Sequence, residues 1–123
     1  MESALSMAKA LADGNRMRVA AALMEHDELC VCQLVEMLQI ATATVSRHMS
    51  ILQNAGLVKC RKDGRWVHYR LSESFPVLLR QWLMDFLSNS KEIKRDRKLL
   101  ASILSRSRED LCRRQKQRKT DSD

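Results

Sequence analysis

The 123-residue sequence predicts a mostly α-helical fold that carries one small β-hairpin. Two observations lead there. Apolar residues recur at helical spacing through most of the chain, while alternation with a period of two is confined to residues 57–71, around an Asp63-Gly64 pair suited to a tight turn. Hydrophobic residues make up 45% of the chain, enough for one core. With two Trp, two Phe and one Tyr, that core must be built from Leu, Val, Ile, Ala and the seven adaptable Met.

The elements follow in order. Ala4, Leu5, Ala8, Leu11 and Ala12 define a first helix. Asp13 can cap a second, whose Met17, Val19, Ala20, Leu23 and Met24 give a broad apolar face up to His26. After the charged break Asp27-Glu28, Val31, Leu34, Val35 and Leu38 fall within about 100° of helical arc. A further helix spans residues 41–54, with Val45, Met49 and Leu52 on one side. Its other side, Ala43, Ser46, Arg47, Ser50 and Asn54, is small or polar. Two short helices with so brief a joint form a helix-turn-helix, and Gly56 ends the second.

Val67, Tyr69 and Leu71 alternate with His68 and Arg70 as in a strand. The hairpin is a two-stranded wing carrying Lys59, Arg61, Lys62, Arg65 and Arg70 against a single Asp63. The fold class is therefore a winged helix-turn-helix. Pro76 opens another helix, and Phe75, Leu78, Leu79, Trp82, Leu83, Phe86 and Leu87 give it more large apolar groups than one small body can bury. A homodimer interface is the natural place for the surplus. Ser88-Asn89-Ser90 interrupts the pattern, and Ile93, Leu100, Ile103, Leu104 and Leu111 support one more helix. The expected organisation is a DNA-binding and dimerisation domain over residues 1–90, a helical extension over 91–112, and a basic, disordered tail over 113–123.

The net charge of +7 suggests an anionic partner, with double-stranded DNA the first candidate. Its distribution tempers that inference. From Lys91 onward 12 basic and 6 acidic residues give +6, leaving only +1 for residues 1–90, so a basic tail could account for the total as a solvated end. The helix over 41–54 is more specific. Arg47 can pair with a guanine edge or a phosphate, Thr44, Ser46 and Ser50 can reach phosphates or bases, and Ala43 can sit against a thymine methyl. Lys62 and Arg65 on the wing are placed for flanking phosphates. The competing reading is an ordinary helical pair with a merely soluble face; His48, at its edge, suits packing or a phosphate better than metal ligation. No Ser-His-Asp set, glycine-rich phosphate loop or zinc-hydrolase motif appears, so an enzyme is not expected. Without a signal-peptide core or a membrane-length apolar run, the expected location is cytoplasmic, where four cysteines stay reduced and serve metal binding or redox sensing.

The stretch ELCVCQL places Cys30 and Cys32 at the start of the bracing helix, where free backbone N–H groups favour thiolates. Thiolates are soft donors, suited to Cu(I), Zn, Cd and trivalent arsenic or antimony. In a continuous helix, residues two apart point about 200° apart. Ion binding should then distort the first turn, and the two sulfurs should not share one buried face. The alternative is a pair of buried, inert cysteines.

Three motifs in order, ELCVCQL, TVSRH (Thr44 to His48) and GRWVHYRLS (Gly64 to Ser72), resemble the ArsR/SmtB family of winged-helix repressors, most of all its arsenic-responsive branch, over about residues 5–90. The resemblance implies a homodimer that occupies its own operator and leaves it when As(III) or Sb(III), as inducer, binds Cys30 and Cys32. It also implies a third cysteine one turn along, in the pattern CVCxLC, where this chain has Val35. Cys60, Cys112, a small thiol or hydroxide could complete the site. Cadmium or lead sensing is the nearest rival, although such relatives add cysteines in an N-terminal arm and none precedes Cys30 here. Zinc sensing would need His ligands in the dimer helix, and His26, His48 and His68 all lie elsewhere. Thiol oxidation at Cys30 is a further alternative.

Overall fold

The computed structural model describes the backbone of residues 1–122 and the side chains of residues 1–117. Helices α1 (Glu2–Leu11) and α2 (Gly14–Glu25) precede a short strand β1 (Leu29–Cys30). The helix-turn-helix is α3 (Val31–Leu38) and α4 (Thr42–Asn54). The wing is β2 (Val58–Asp63) and β3 (Trp66–Leu71), followed by α5 (Val77–Leu87), α6 (Lys91–Ile103) and α7 (Arg108–Ser122).

Local chemistry sets several boundaries as the sequence predicts. Asp13 Oδ1 accepts from the Arg16 N–H at 3.1 Å and caps α2. Gly56 ends α4 at φ +78°, with Gly56 N–H donating to Gln53 O at 2.9 Å and Leu57 N–H to Leu52 O at 3.0 Å. This 5→2 and 6→1 pair is a Schellman motif, whose left-handed residue glycine adopts without penalty. Between α3 and α4, Gln39 takes the left-handed conformation (φ 56°, ψ 41°) and turns the chain within a few residues. Leu34, Met37, Val45, Met49 and Leu52 then meet in the core at 1% exposure or less, which fixes α4 against α3.

The sheet differs from the expected hairpin in two ways. It has three strands in the order β1-β3-β2, because Leu29 and Cys30 pair antiparallel with Tyr69 and His68. Two residues are too short for alternation to reveal. The turn also sits one residue later than the Asp63-Gly64 pair suggested. Asp63 pairs with Trp66, so Gly64 and Arg65 are the central residues, and only Gly64 has positive φ, at +60°. Positive φ at the first central position alone is the pattern of a type II′ turn.

The segment 113–123, expected to be disordered, continues α7 through Ser122, while Asp123 lies outside the described residues. The reason is tertiary. Leu111 is fully buried, and Gln115 Nε2 donates to the Cys32 carbonyl at 2.8 Å and to Glu36 Oε2 at 3.3 Å, so the helix is docked on α3 over its first turns.

One buried ion pair joins the two halves of the chain. Arg18 on α2 makes a two-pronged contact with Asp96 on α6, Nε to Oδ2 and Nη2 to Oδ1, both at 2.8 Å, and its Nη2 also donates to Met37 O at 3.3 Å. Asp96 is 3% exposed. Removing one member of such a pair strands the other charge. Asp96→Ala should therefore lower stability by about 3 kcal/mol, read as a lower denaturation midpoint, whereas Arg18→Met with Asp96→Leu should recover most of the loss.

Candidate functional site

Cys30 is the last residue of β1 and the N-cap of α3, with extended backbone angles (φ −86°, ψ 161°). Pairing with β3 imposes that conformation, and it changes the geometry expected from a continuous helix. The Cys30 side chain leaves the chain before the helix begins, and the two sulfurs converge to 2.8 Å. The expectation that an ion must first open the α3 turn is thus corrected. So is the expectation that the sulfurs cannot be buried together, since Cys30 is 1% and Cys32 5% exposed. Both are free thiols.

The surroundings make the pair chemically unequal. Gln33 Oε1 accepts from the Cys30 N–H at 2.8 Å, and the Cys30 sulfur faces the Gln33 backbone N–H in return, forming a capping box. The neighbouring Cys32 thiol draws the Cys30 pKa down to about 7, with the Gln33 and Cys32 backbone N–H groups helping against burial. Cys32 moves the opposite way, raised by the Cys30 sulfur and by burial. The pair therefore loses its first proton as the pH rises through about 7, and the thiolate so formed is the nucleophile and soft-ion ligand.

The thiols open onto a cavity of about 620 Å³. Its walls come from the β1–α3 junction (Cys30, Val31, Cys32), α4 (Thr42, Ser46), the wing (Arg65, Trp66, Val67) and α7 (Glu109, Cys112, Arg113, Gln115, Lys116). Arg108 braces the α7 side. Its Nη1 is 2.8 Å from His68 Nε2, and its guanidinium lies 5.1 Å from the Trp66 ring centroid. Of the two cysteines left open as further ligands, Cys112 is half-buried in this cavity, next to Cys32. Cys60 is exposed on β2, where it receives Gln53 Nε2 at 3.6 Å. Among the described residues no group of three or more His, Cys, Asp or Glu side chains stands ready-made for a metal ion.

Ala43, Ser46, Arg47 and Ser50 form an exposed stripe on α4, with Thr44 half-buried beside it. Arg47 makes no ion pair among the described residues. His48 Nδ1 is instead 2.9 Å from Arg16 Nη1, a structural tie to α2. The wing's charge is thinner than its composition suggests. Lys59 pairs with Glu73 at 2.7 Å, Arg70 pairs with the same carboxylate, and Arg61 pairs with Glu28 at 2.5 Å. Lys59, then Arg70, pull the Glu73 pKa down to about 2, so these pairs persist across the physiological range. Lys62 and Arg65, both exposed, remain at the tip, with the Arg65 guanidinium 4.6 Å from the Trp66 ring centroid.

Several functional neighbours escaped the sequence. Glu36 and Gln115, which join α3 to α7, carry no periodic signal. A single apolar Leu111 beside Cys112 was the only hint that the polar C-terminal segment packs on the thiols.

Fold and site together define a winged helix-turn-helix protein with a buried dithiol between its bracing helix and wing. Residues 13–59 match the family described as "Bacterial regulatory protein, arsR family", and the chain belongs to it. The chain is 43% identical over 73 residues to the arsenical resistance operon repressor of Escherichia coli (strain K12), a match covering 59% of this chain and 62% of that protein. It is 42% identical over 65 residues to a cadmium resistance transcriptional regulatory protein, a CadC homolog of Staphylococcus aureus, covering 53% of this chain and 54% of that one. The chain thus spans less than two thirds of these relatives' lengths. Among solved structures, HlyU from Vibrio cholerae N16961 superposes with a TM-score of 0.64 at 27% identity, covering 72% of this chain and 95% of that one.

Replacing Cys32 with Ala removes the group that holds the Cys30 pKa down. The Cys30 titration, followed by thiolate ultraviolet absorbance, should move from about 7 toward the ordinary thiol value of about 8.5. A midpoint unchanged by the substitution would assign the depression to the backbone N–H groups instead.

Proposed function

We propose that the chain is a homodimeric transcriptional repressor that binds operator DNA through α4 and the wing and is released by trivalent arsenic or antimony at Cys30 and Cys32. The observation that carries this reading is the convergence of the two sulfurs to 2.8 Å inside a cavity that also borders Ser46 of α4. A soft ion bound there lies beside the proposed reading helix. Arsenous acid can react with such thiols without redox chemistry. Each thiol proton leaves with an arsenic-bound hydroxide as water, each As–O bond is exchanged for As–S, and arsenic stays trivalent.

In the proposed complex α4 enters the major groove, Arg47 contacts a guanine or phosphate, Ser46, Thr44, Ser50 and Ala43 line the groove, and Lys62 and Arg65 hold flanking backbone. The second copy sits on α5, whose Val77, Leu78 and Phe86 are 79%, 84% and 69% exposed in the single chain. Burying that face gives two reading helices related by a two-fold axis, which suits a palindromic operator. Among the described residues no helix is long and apolar enough to cross a membrane, which fits a cytoplasmic regulator.

Cadmium is the second reading. A relative named for cadmium resistance matches this chain nearly as well, and Glu109 offers the cavity an oxygen donor that a four-coordinate ion could use. Three-coordinate arsenic fits better with a site dominated by sulfur.

Arg47→Ala should weaken operator binding by about 1–3 kcal/mol and leave arsenite binding unchanged. Cys32→Ser should bind the operator normally and stay bound when arsenite is added. Fluorescence anisotropy on a labelled upstream duplex reads both. Normal release of the Cys32→Ser protein would place the sensing site elsewhere.

A further inference from the structure

We propose that Cys112 on α7 supplies the third sulfur of the soft-ion site, so that the bond completing the site also fastens α7 beside the reading helix. This rests on Cys30 and Cys32 being the ion-binding pair, and it names the ligand that α3 does not provide. Position 35, one turn beyond Cys32, is a buried valine at 4% exposure, so α3 carries no third thiol. Trivalent arsenic bound through sulfur takes three ligands in a pyramid, and two cysteines leave one vertex to fill.

Cys112 alone among the remaining cysteines lines the cavity with Cys30 and Cys32. Its position is held from both sides. Leu111, its immediate neighbour, is fully buried, and Gln115, nearly one turn on, donates to the backbone carbonyl of Cys32 itself at 2.8 Å. The third thiol thus approaches the pair on a helix already hydrogen-bonded to one of the two ligand residues. The Cys112 thiol already lies close enough to Cys32 to interact with its side chain. Cys60 lies outside the cavity on the exposed strand β2, and Glu109, though it lines the cavity, offers a hard oxygen that suits a thiophilic ion less well.

Closing this bond exchanges the last As–O bond for As–S, the Cys112 thiol proton leaving with the remaining hydroxide as water and arsenic staying trivalent, and it has a consequence for DNA. The α7 residues that border the cavity face Thr42 and Ser46 of α4 and Arg65 and Trp66 of the wing. A duplex engaging α4 and the wing together must approach that same cleft. An ion held by sulfurs from both α3 and α7 favours the docked position of α7, and by linkage it opposes whatever state requires α7 to move away.

The test separates a two-thiol from a three-thiol demand. Phenylarsine oxide has room for only two protein sulfurs, whereas arsenite uses three. With full-length reduced protein, wild type and Cys112→Ser should both bind one equivalent of phenylarsine oxide with similar affinity. For arsenite, Cys112→Ser should lose at least about tenfold in affinity and need correspondingly more arsenite to leave a labelled duplex. Arsenic X-ray absorption should show three sulfur neighbours in the wild type, and two sulfurs with one oxygen in the variant. Cys60→Ser should bind arsenite as the wild type does.

Wild-type arsenite affinity and three sulfur neighbours in Cys112→Ser would overturn the proposal while leaving the Cys30–Cys32 pair intact. Loss of phenylarsine oxide binding in a Cys112→Ser protein that still binds DNA would place Cys112 in the primary pair and overturn its role as third ligand. A wild type that binds neither reagent would remove the dithiol reading itself.

Discussion

The change of backbone direction at Cys30 is the constraint on which the site depends. Pairing with His68 holds Cys30 in extended conformation, and the helix starts at the next residue. Two cysteines separated by one residue would diverge within a helix, and within a strand they would share a face but stand about 7 Å apart. At the junction between the two, their sulfurs meet. The capping box with Gln33 secures the helix start without a conventional Ser, Thr or Asp cap, so the same residue ends the strand, caps the helix and presents the thiolate.

The remaining architecture arranges access to that junction. The wing closes one side through Trp66, and α7 closes another through Gln115 and the Arg108–His68 contact. The α3–α4 turn ties the thiols to α4 over a short, tightly packed path. α3 and α4 share a core of fully buried Leu34, Val45, Met49 and Leu52, packed too closely to leave slack between the two helices. Arg18 and Asp96 hold α6 to the helical layer beneath, which fixes where α7 begins.

How much of this was legible follows from which features are periodic. The helices over residues 2–54 and the strand β3 show in the spacing of Leu, Val, Ile and Met, and the caps at Asp13 and Gly56 show as single residues with one physical use. The motif ELCVCQL announced sulfur chemistry. Its geometry was hidden, because a two-residue strand leaves no period and the helix boundary between Cys30 and Val31 decides where a sulfur points. The docking of α7 was hidden for a different reason. Its sequence is polar, and one leucine with one glutamine suffices to anchor it once Glu36 and the Cys32 carbonyl are in place. Charge counting was misleading on the wing, where Glu28 and Glu73 from outside the hairpin occupy three of its five cations. Those pairings are set by the fold and not by neighbours in sequence.

The most direct test of the account is anisotropy of the reduced protein on a labelled duplex from its own upstream region, with arsenite, cadmium and peroxide added in separate titrations. Tight, salt-sensitive binding is expected, with release by arsenite at concentrations where cadmium and peroxide leave the complex intact. Release by peroxide alone would make the dithiol a redox switch. Tight binding that none of the three reagents disturbs would contradict the claim that Cys30 and Cys32 govern the hold on DNA.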